Sequence, residues 1–470
     1  MNFQPVLLAT DALLWLLVVA VLTYAWRARR QEHARAPWRE VARNPLGMGA
    51  AVVLAVFTSI GLLDSLHFRA ALPPGPEGQV RYAAEISSVL DLALGDARRA
   101  ERSYSAPLAA RAFVKETVAL SDGRQQRGYP RLKHGGAHLA DPDTGRWNDI
   151  GARATAGALA GAVLWALLAA GLCLLAAQRT GCGWRTQAAL MAHGGTDFPW
   201  RSVLGVCGAL LLLGGVAWTL LPHYHLLGTD KVGGDVFYQA VKSIRTGLVI
   251  GTLTTLVTLP LAVLLGMAAG FFGGWVDDVI QYVYTTLNSI PGVLLIAAAV
   301  LLMLAHMESH PERFATQAER ADARLLFLCV ILGVTSWTGL ARLLRAETLK
   351  LRETEYVQAA QALGVVPFTI LLRHILPNVM HLVLITVALD FSGLVLAEAV
   401  LSYLSIGVDP AMSSWGNMIN TARLELAREP VVWWPLAAAF AFMFALVLAA
   451  NLFADAVRDA FDPRLRGARA

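Results

Sequence analysis

The sequence predicts an all-α polytopic membrane protein with about nine transmembrane helices and a mostly helical external insertion, on three observations. The 470 residues are 56% hydrophobic but only 16% charged, with a mean hydropathy of +0.52; a water-soluble domain carries about 25% charged residues. The apolar residues come in blocks long enough to cross a bilayer, which needs about 20 residues per helix. The blocks are too long and too continuous for barrel strands, so they read as helices, which satisfy their own backbone groups in lipid.

The blocks lie at about 5–25, 46–63, 157–177, 203–221, 245–271, 279–304, 325–344, 379–402 and 434–454. Orientation follows the Lys and Arg of the short loops. Residues 27–45 hold Arg27, Arg29, Arg30, Arg35, Arg39 and Arg43; residues 342–378 hold Arg342, Arg345, Lys350, Arg352 and Arg373; the tail holds Arg458, Arg464, Arg466 and Arg469. With nine spans these regions share one side, the cytoplasm, so the N-terminus is expected outside and the C-terminus inside. The net charge of +5 then records topology and not a nucleic-acid surface. In the first span the charges follow the apolar stretch and no small-residue cleavage site is seen, so an N-out anchor is expected in place of a signal peptide.

Four regions follow: N-terminal transmembrane helices at 1–63, an external segment at 64–156, two additional transmembrane helices at 157–222, and a core at 223–466 with a cytoplasmic loop at 345–378. In the external segment Pro73-Pro74-Gly75-Pro76 is a breaker. Leu and Ala at helical spacing predict a helix around 80–120. His134-Gly135-Gly136 and Asp141-Pro142-Asp143-Thr144-Gly145 read as turns. His134, His138, Asp141 and Asp143 carry metal-ligand chemistry, but no helical pattern holds the imidazoles, so no metal site is expected. The segment reads as a small external domain that packs on the core or touches another protein outside the membrane. Cys173, Cys182, Cys207 and Cys329 form no CxxC pattern and suggest no disulfide.

The most informative stretch is the half-polar Glu355–Pro377, EYVQAAQALGVVPFTILLRHILP, set between long apolar spans. Residues 353–363 predict a short helix. Glu353 and Glu355 suit its positive N-terminal end, Ala359, Ala360 and Ala362 are strong helix formers, and Gly364 stands where a C′ glycine ends a helix. Small side chains at 359 and 360 let another surface approach closely, and Gly364 lets the chain turn away.

The span at 245–271 carries Thr246, Thr252, Thr254, Thr255, Thr258 and Pro260, with small-xxx-small pairs Gly247/Gly251 and Gly266/Gly270 for close helix contact. The threonines either face a wet pathway or bond back to their own helix, and Pro260 is expected to bend the span. The span at 379–402 holds Asp390 near mid-membrane and Glu398 nearer the outer face. A charge at the bilayer centre costs at least ~2.5 kcal/mol, so Asp390 is expected to face the bundle interior, a cavity or a partner. It either pairs within the bundle or meets a cationic group of a solute. Glu398 is expected to serve structurally near an external gate.

No GxxxxGK[ST] loop, Ser/His/Asp grouping or HExxH is present. The chain therefore offers no catalytic residues and no cofactor or metal site of its own.

Tyr356-Val357-Gln358-Ala359-Ala360, Leu363-Gly364 and His374-Ile375-Leu376-Pro377-Asn378 together resemble the EAA loop of ABC-importer permeases, and the HILPN ending resembles the dipeptide/oligopeptide branch. His225-Leu226-Leu227-Gly228-Thr229-Asp230 with Gly234-Asp235-Val236-Phe237 resembles that branch's LGTD…GRDVF landmark, with Gly233-Gly234 where the family has Gly-Arg. Phe272-Gly273-Gly274-Trp275-Val276-Asp277, Ile290-Pro291, Leu401–Gly407, Ser414-Trp415-Gly416 and Arg458–Pro463 follow in order and cover, with these, about half the chain. Trp38-Arg39 through Asn44-Pro45-Leu46 resembles the family's approach to its first span, and Trp200-Arg201 competes for that place.

The resemblance implies a type I ABC-importer permease core in the C-terminal half, similar to the C-type subunit of dipeptide/oligopeptide systems, in a bacterial inner membrane. It implies a heterodimer with a second permease, two cytoplasmic ABC ATPase subunits that use ATP and Mg, and a periplasmic solute-binding protein. Glu355, Tyr356, Gln358, Ala359, Ala360 and Gly364 become the ATPase-coupling peg, with Gln358 replacing the family's Glu. The candidate pathway or gate residues are Thr254, Thr258, Asp390 and Glu398; of these only Glu398 lies in a stretch that carries the resemblance. Cargo expectations are peptides or peptide-like solutes; nickel chelates, a peptide-like antibiotic or an opine are alternatives, and a membrane sensor or scaffold on a permease core is a reading from another class. A secondary transporter would show internal repeats, and none is seen.

Overall fold

The computed structural model describes residues 3–30, 32–72, 81–119, 125–142, 144–314 and 316–461. Pro73-Pro74-Gly75-Pro76, Asp143, Asp462-Pro463, Arg464, Arg466 and Arg469 lie outside the described residues.

The elements in chain order are β1 (Phe3–Val6), α1 (Ala9–Ala28), α2 (Glu32–Arg43), α3 (Pro45–Asp64), β2 (His67–Ala70), β3 (Ser87–Ser88), α4 (Val89–Ala93), β4 (Glu116–Ala119), β5 (Gln125–Gly128), α5 (Arg146–Thr180), α6 (Trp184–His193) and α7 (Trp200–Leu220). The core follows with α8 (Val236–Phe272), α9 (Gly274–Ser289), α10 (Gly292–Ser309), α11 (Gln317–Ser336), α12 (Thr338–Arg352), α13 (Glu355–Ala362), α14 (Pro367–Ile370), α15 (Leu376–Tyr403), α16 (Trp415–Glu425) and α17 (Trp434–Phe461). Among the described residues nine helical stretches are long and apolar enough to cross a membrane. The chain is an all-α, multi-pass membrane protein.

One span differs from its sequence reading. The block at 279–304 is broken into α9 and α10, because Pro291 has no N–H and pushes Ile290 to an extended conformation (φ −92°, ψ 130°). Only α10 is long and apolar enough to cross. By contrast, α8 runs through Pro260 as one helix of 37 residues.

Contacts divide the chain into two units. The first comprises β1, residues 42–245 and residues 413–449. In it α5 and α7 lie backbone to backbone: a Cβ on Gly157 or Gly215 would strike the other helix's main chain, the close approach that small residues permit between membrane helices. β1 pairs antiparallel with β2, Phe3 opposite Ala70, and β2 with β3.

The helix expected around 80–120 is not formed. Residues 89–93 make one short helix, capped by a reciprocal Ser88–Asp91 box, and 116–119 pair with 125–128 as strands. Three backbone donors within residues 101–108 go to the loop at 223–235 instead. Glu101 N donates to Gly233 O, Leu108 N to His225 O and Ser105 N to Thr229 Oγ1. The Glu101 carboxylate accepts from the backbone of Lys133, His134 and Gly135 and lies 3.4 Å from His225 Nε2, whose Nδ1 is 2.7 Å from Asp235. The external segment is thus clasped around the loop that precedes α8, and helical spacing of Leu and Ala loses to these tertiary partners.

The second unit comprises residues 7–41, 246–412 and the end of α17. Its apolar core gathers Met267 and Phe271 of α8, Leu340 and Leu344 of α12, Val357 and Ala360 of α13, and Ile370, Ile375 and Val379. Gly266 and Gly270 let α8 rest on α12, where a Cβ would stand 2.7 Å from the Ala341 and Arg345 carbonyl oxygens. α2 packs its Trp38 edge-on to Phe461 and its Val41 against Val457 and Ala460, at the end of α17. Thr10 of α1 donates to the Asp322 carboxylate of α11 through both its backbone N–H and its hydroxyl.

Candidate functional site

The short helix predicted at 353–363 forms as α13, Glu355–Ala362. Gly364 follows with φ +74°, the left-handed conformation a C′ glycine adopts without strain. One face is held: Val357 and Ala360 are buried in the core of the second unit. The other carries Glu355, Tyr356, Gln358 and Ala359 in the open, followed by Leu363 at 83% exposure, Val366 and Phe368. Ala360 therefore corrects the sequence reading. It faces inward, and of the two small residues only Ala359 lies on the open side.

Three features near α13 brace it. The Gln358 amide donates to the Glu353 carbonyl at 3.3 Å, a bond that an ionised glutamate at this position cannot donate. Asn378 Nδ2 donates to the Tyr356 hydroxyl at 3.2 Å and to the His374 carbonyl at 2.6 Å, so the HILPN stretch steadies the aromatic of the helix. Residues 371–375 form a π-turn ahead of Pro377, which lacks the N–H that would bond back to Arg373.

On the side of the loop that leads into α13, Arg345 donates from Nε and Nη2 to the two Asp277 oxygens, 2.6 Å each. This pair joins α12 to α9. Nothing in the sequence points to it, because a bidentate pair across 68 residues leaves no local pattern.

The proposed pathway residues do not form one group. Thr254 is fully buried, toward the Cys329 thiol. Thr258 is buried too, its hydroxyl donating to Thr254 O at 3.0 Å and within 3.3 Å of Gly333 O. Asp390 opens into a cavity of about 260 Å³ whose polar lining comes from Thr255, Thr258 and Ser336. Glu398 is buried, accepts from Ser402 at 2.6 Å and is not part of that lining. Thr258 and Asp390 are thus brought together, while Thr254 and Glu398 stand apart. Thr255 and Ser336 were missed as lining: Thr255 is one of five threonines in its span with no visible face, and Ser336 carries no motif.

His138 of the external segment bonds Asp149 at 2.7 Å and lies beside His223, while His134 gives its backbone N–H to Glu101. Among the described residues no cluster suited to a metal ion is present.

Residues 262–467 match the family model described as binding-protein-dependent transport system inner membrane component. The glutathione transport system permease protein GsiD of Pectobacterium atrosepticum is 32% identical over 243 residues, 52% of this chain and 73% of that protein. The oligopeptide transport system permease protein OppC of Bacillus subtilis is 31% identical, over 52% of this chain and 72% of its own length. The dipeptide transport system permease protein DppC of the same organism is 29% identical, over 52% and 69%.

Proposed function

The chain belongs to the family of binding-protein-dependent transport system inner membrane components, and from that premise we propose that it carries peptides or peptide-like solutes inward, driven by ATPase subunits that couple to it through α13. It is a transport permease subunit, not an enzyme. The observation that carries the mechanism is the split character of α13. One face is anchored in the core, while the other leaves Tyr356 open to solvent, as the stretch after the helix leaves Leu363, Val366 and Phe368. Apolar surface of that kind at a membrane protein's edge marks a docking site.

In this reading two cytoplasmic ABC ATPases, which bind ATP and Mg, receive α13 in a groove. A second permease completes the membrane channel, and an external binding protein delivers the solute. Closure of the ATPases pulls α13, and Arg345–Asp277 passes the pull from α12 to α9. The bundle then opens outward, and ATP hydrolysis returns it inward. Peptide cargo is proposed from the oligopeptide and dipeptide names of the relatives.

The proposed orientation places the N-terminus outside and the C-terminus in the cytoplasm. Two contacts support it. β1 pairs with β2 of the external segment, and the arginine-bearing α2 packs on the end of α17.

The test is a cysteine at Ala359 in the chain expressed with its genomic neighbours. Crosslinks to an ATPase, with a second permease in the same complex, support the reading. A stable protein that captures no ATPase from positions 359 or 363 sinks it and favours a sensor or scaffold.

A further inference from the structure

Asp390 stands near the middle of α15, a helix of 28 residues within the 37-residue stretch Pro367–Tyr403 that is long and apolar enough to cross a membrane. No described residue pairs with its carboxyl by hydrogen bond or ion pair. An ionisable group at that depth is retained where it faces a cavity or a pathway, and it is a functional group by default. Here it faces a cavity, walled by Thr255, Thr258 and Leu259 of α8, Ser336 at the end of α11, and α15 itself.

Two of the three hydroxyls around Asp390, those of Thr255 and Thr258, have a definite polarity. Thr255 commits its hydrogen to the Gly251 carbonyl at 2.7 Å, and Thr258 commits its own to Thr254 O at 3.0 Å. Each hydroxyl has one hydrogen and two lone pairs, so what both present to the cavity is lone pairs. A carboxylate beside acceptor oxygens suits a group that only donates and carries positive charge. It repels an anion, and the one hydroxyl of the lining whose hydrogen is not already committed is that of Ser336. A protonated amine, with its three N–H donors, fits that description. The volume of about 260 Å³ is below the ~300–1,000 Å³ of drug-sized pockets, room for one end of a solute.

We propose that Asp390, with the lone pairs of Thr255 and Thr258, is a site in the permease that recognises a protonated amine on the passing cargo. The proposal rests on the importer reading above and adds the charge of the solute end that the permease itself selects.

The test uses the full complex in liposomes, with Cys173, Cys182, Cys207 and Cys329 replaced and Ser336→Cys introduced at the cavity wall. Reaction of that thiol with a cationic and an anionic methanethiosulfonate is compared in Asp390 and Asp390→Asn proteins. The expected result is a cation preference of ~10-fold or more that falls toward unity in D390N, as loss of a nearby charge in a partly wet site requires. A thiol inert to both reagents, or a preference D390N leaves unchanged, overturns the proposal. In a second arm, ATP-driven uptake of trialanine and N-acetyl-trialanine is measured. D390N should erode the preference for the free amine and D390E should keep it; an unchanged preference in D390N overturns the cargo assignment. A complex with no ATPase activity and no uptake of either peptide sinks the importer reading and the cargo assignment with it. The thiol ratio is read without ATP, which tells that failure from a failure of the site.

Discussion

Arg345 grips Asp277 through two parallel hydrogen bonds of 2.6 Å, with both side chains more than two-thirds covered. A fork of this kind fixes direction as well as distance. Arg345→Lys keeps the charge but not the fork, and should lose most of the coupling that Arg345→Ala loses. A double-mutant cycle with Asp277→Asn, read by thermal or denaturant unfolding in detergent, should give a coupling of roughly 1–3 kcal/mol. Additive single effects would remove the pair from any role in joining α12 to α9. The hydrogen bonds from Arg345 hold the Asp277 carboxyl below its ordinary value. Its contribution is therefore present above the ordinary carboxylate range and is lost as pH falls through the depressed value.

The clasp of the external segment should weaken with alkali. Burial opposes a charge on His225, but its bonds to Asp235 and Glu101 outweigh burial and push it up to about 9 from 6.5. Its stabilisation is complete below 6.5 and is lost as pH rises through about 9. Glu101 is opposed by burial as well, yet His225 and three backbone N–H groups bring it down to about 2 from 4.5. Its share is lost only as pH falls below 4.5 toward 2. Hydrogen-exchange protection factors at Ser105 and Leu108 should decline between pH 6.5 and 9, and His225→Gln should flatten that decline. Protection that stays level over the same range in the unmutated protein would count against the ion cluster as the fastening.

Leu363→Asp should separate docking from folding. At 83% exposure the side chain contributes little to the chain's own core, so unfolding should change by no more than about 0.5 kcal/mol. Co-purification of the ATPase should fall severely. Full retention of the partner would place its contact elsewhere.

Two glycines should respond in opposite senses. Gly266→Val pushes a side chain into the Ala341 carbonyl, 2.7 Å from the Cβ position, and should cost roughly 1–3 kcal/mol. Gly339 of α12 has open space around its Cβ position, so Gly339→Ala should gain up to about 1 kcal/mol from helix propensity and chain entropy. Equal losses at both would refute the close contact of α8 with α12.

Much of this was legible because it is written in local chemistry. Nine apolar stretches announce themselves by length, and α13 by its alanines and by Gly364, which the left-handed C′ position requires. Ala360 was misread because a helix of eight residues has two faces, and the sequence does not say which one meets the core. Pro291 breaks a stretch that apolar composition alone reads as one span, because its missing N–H leaves no mark on hydropathy. The external segment was read least well. Glu101, His225 and Asp235 lie up to 134 positions apart, and no periodicity foretells that a leucine- and alanine-rich stretch will spend its donors on a distant loop. Asp390 showed its strangeness by charge alone, but the acceptor character of its surroundings depended on which way two threonine hydroxyls turned.

The clasp has a consequence for how freely this chain can be cut and joined. Gly233 adopts φ +79°, and a Cβ there would run into the main chain of Glu101; Gly228, at φ +72°, is closed off by the Ser105 carbonyl and the Trp434 indole. The loop before α8 has therefore been shaped to the segment laid over it. Excising 65–222 to make a minimal permease would strip His225 and Asp235 of their lid, leave Gly233 with nothing pressing on it and leave Gly228 with the Trp434 indole alone. The insertion and the loop are a matched pair. A graft of this external segment onto another permease would have to carry residues 223–235 with it.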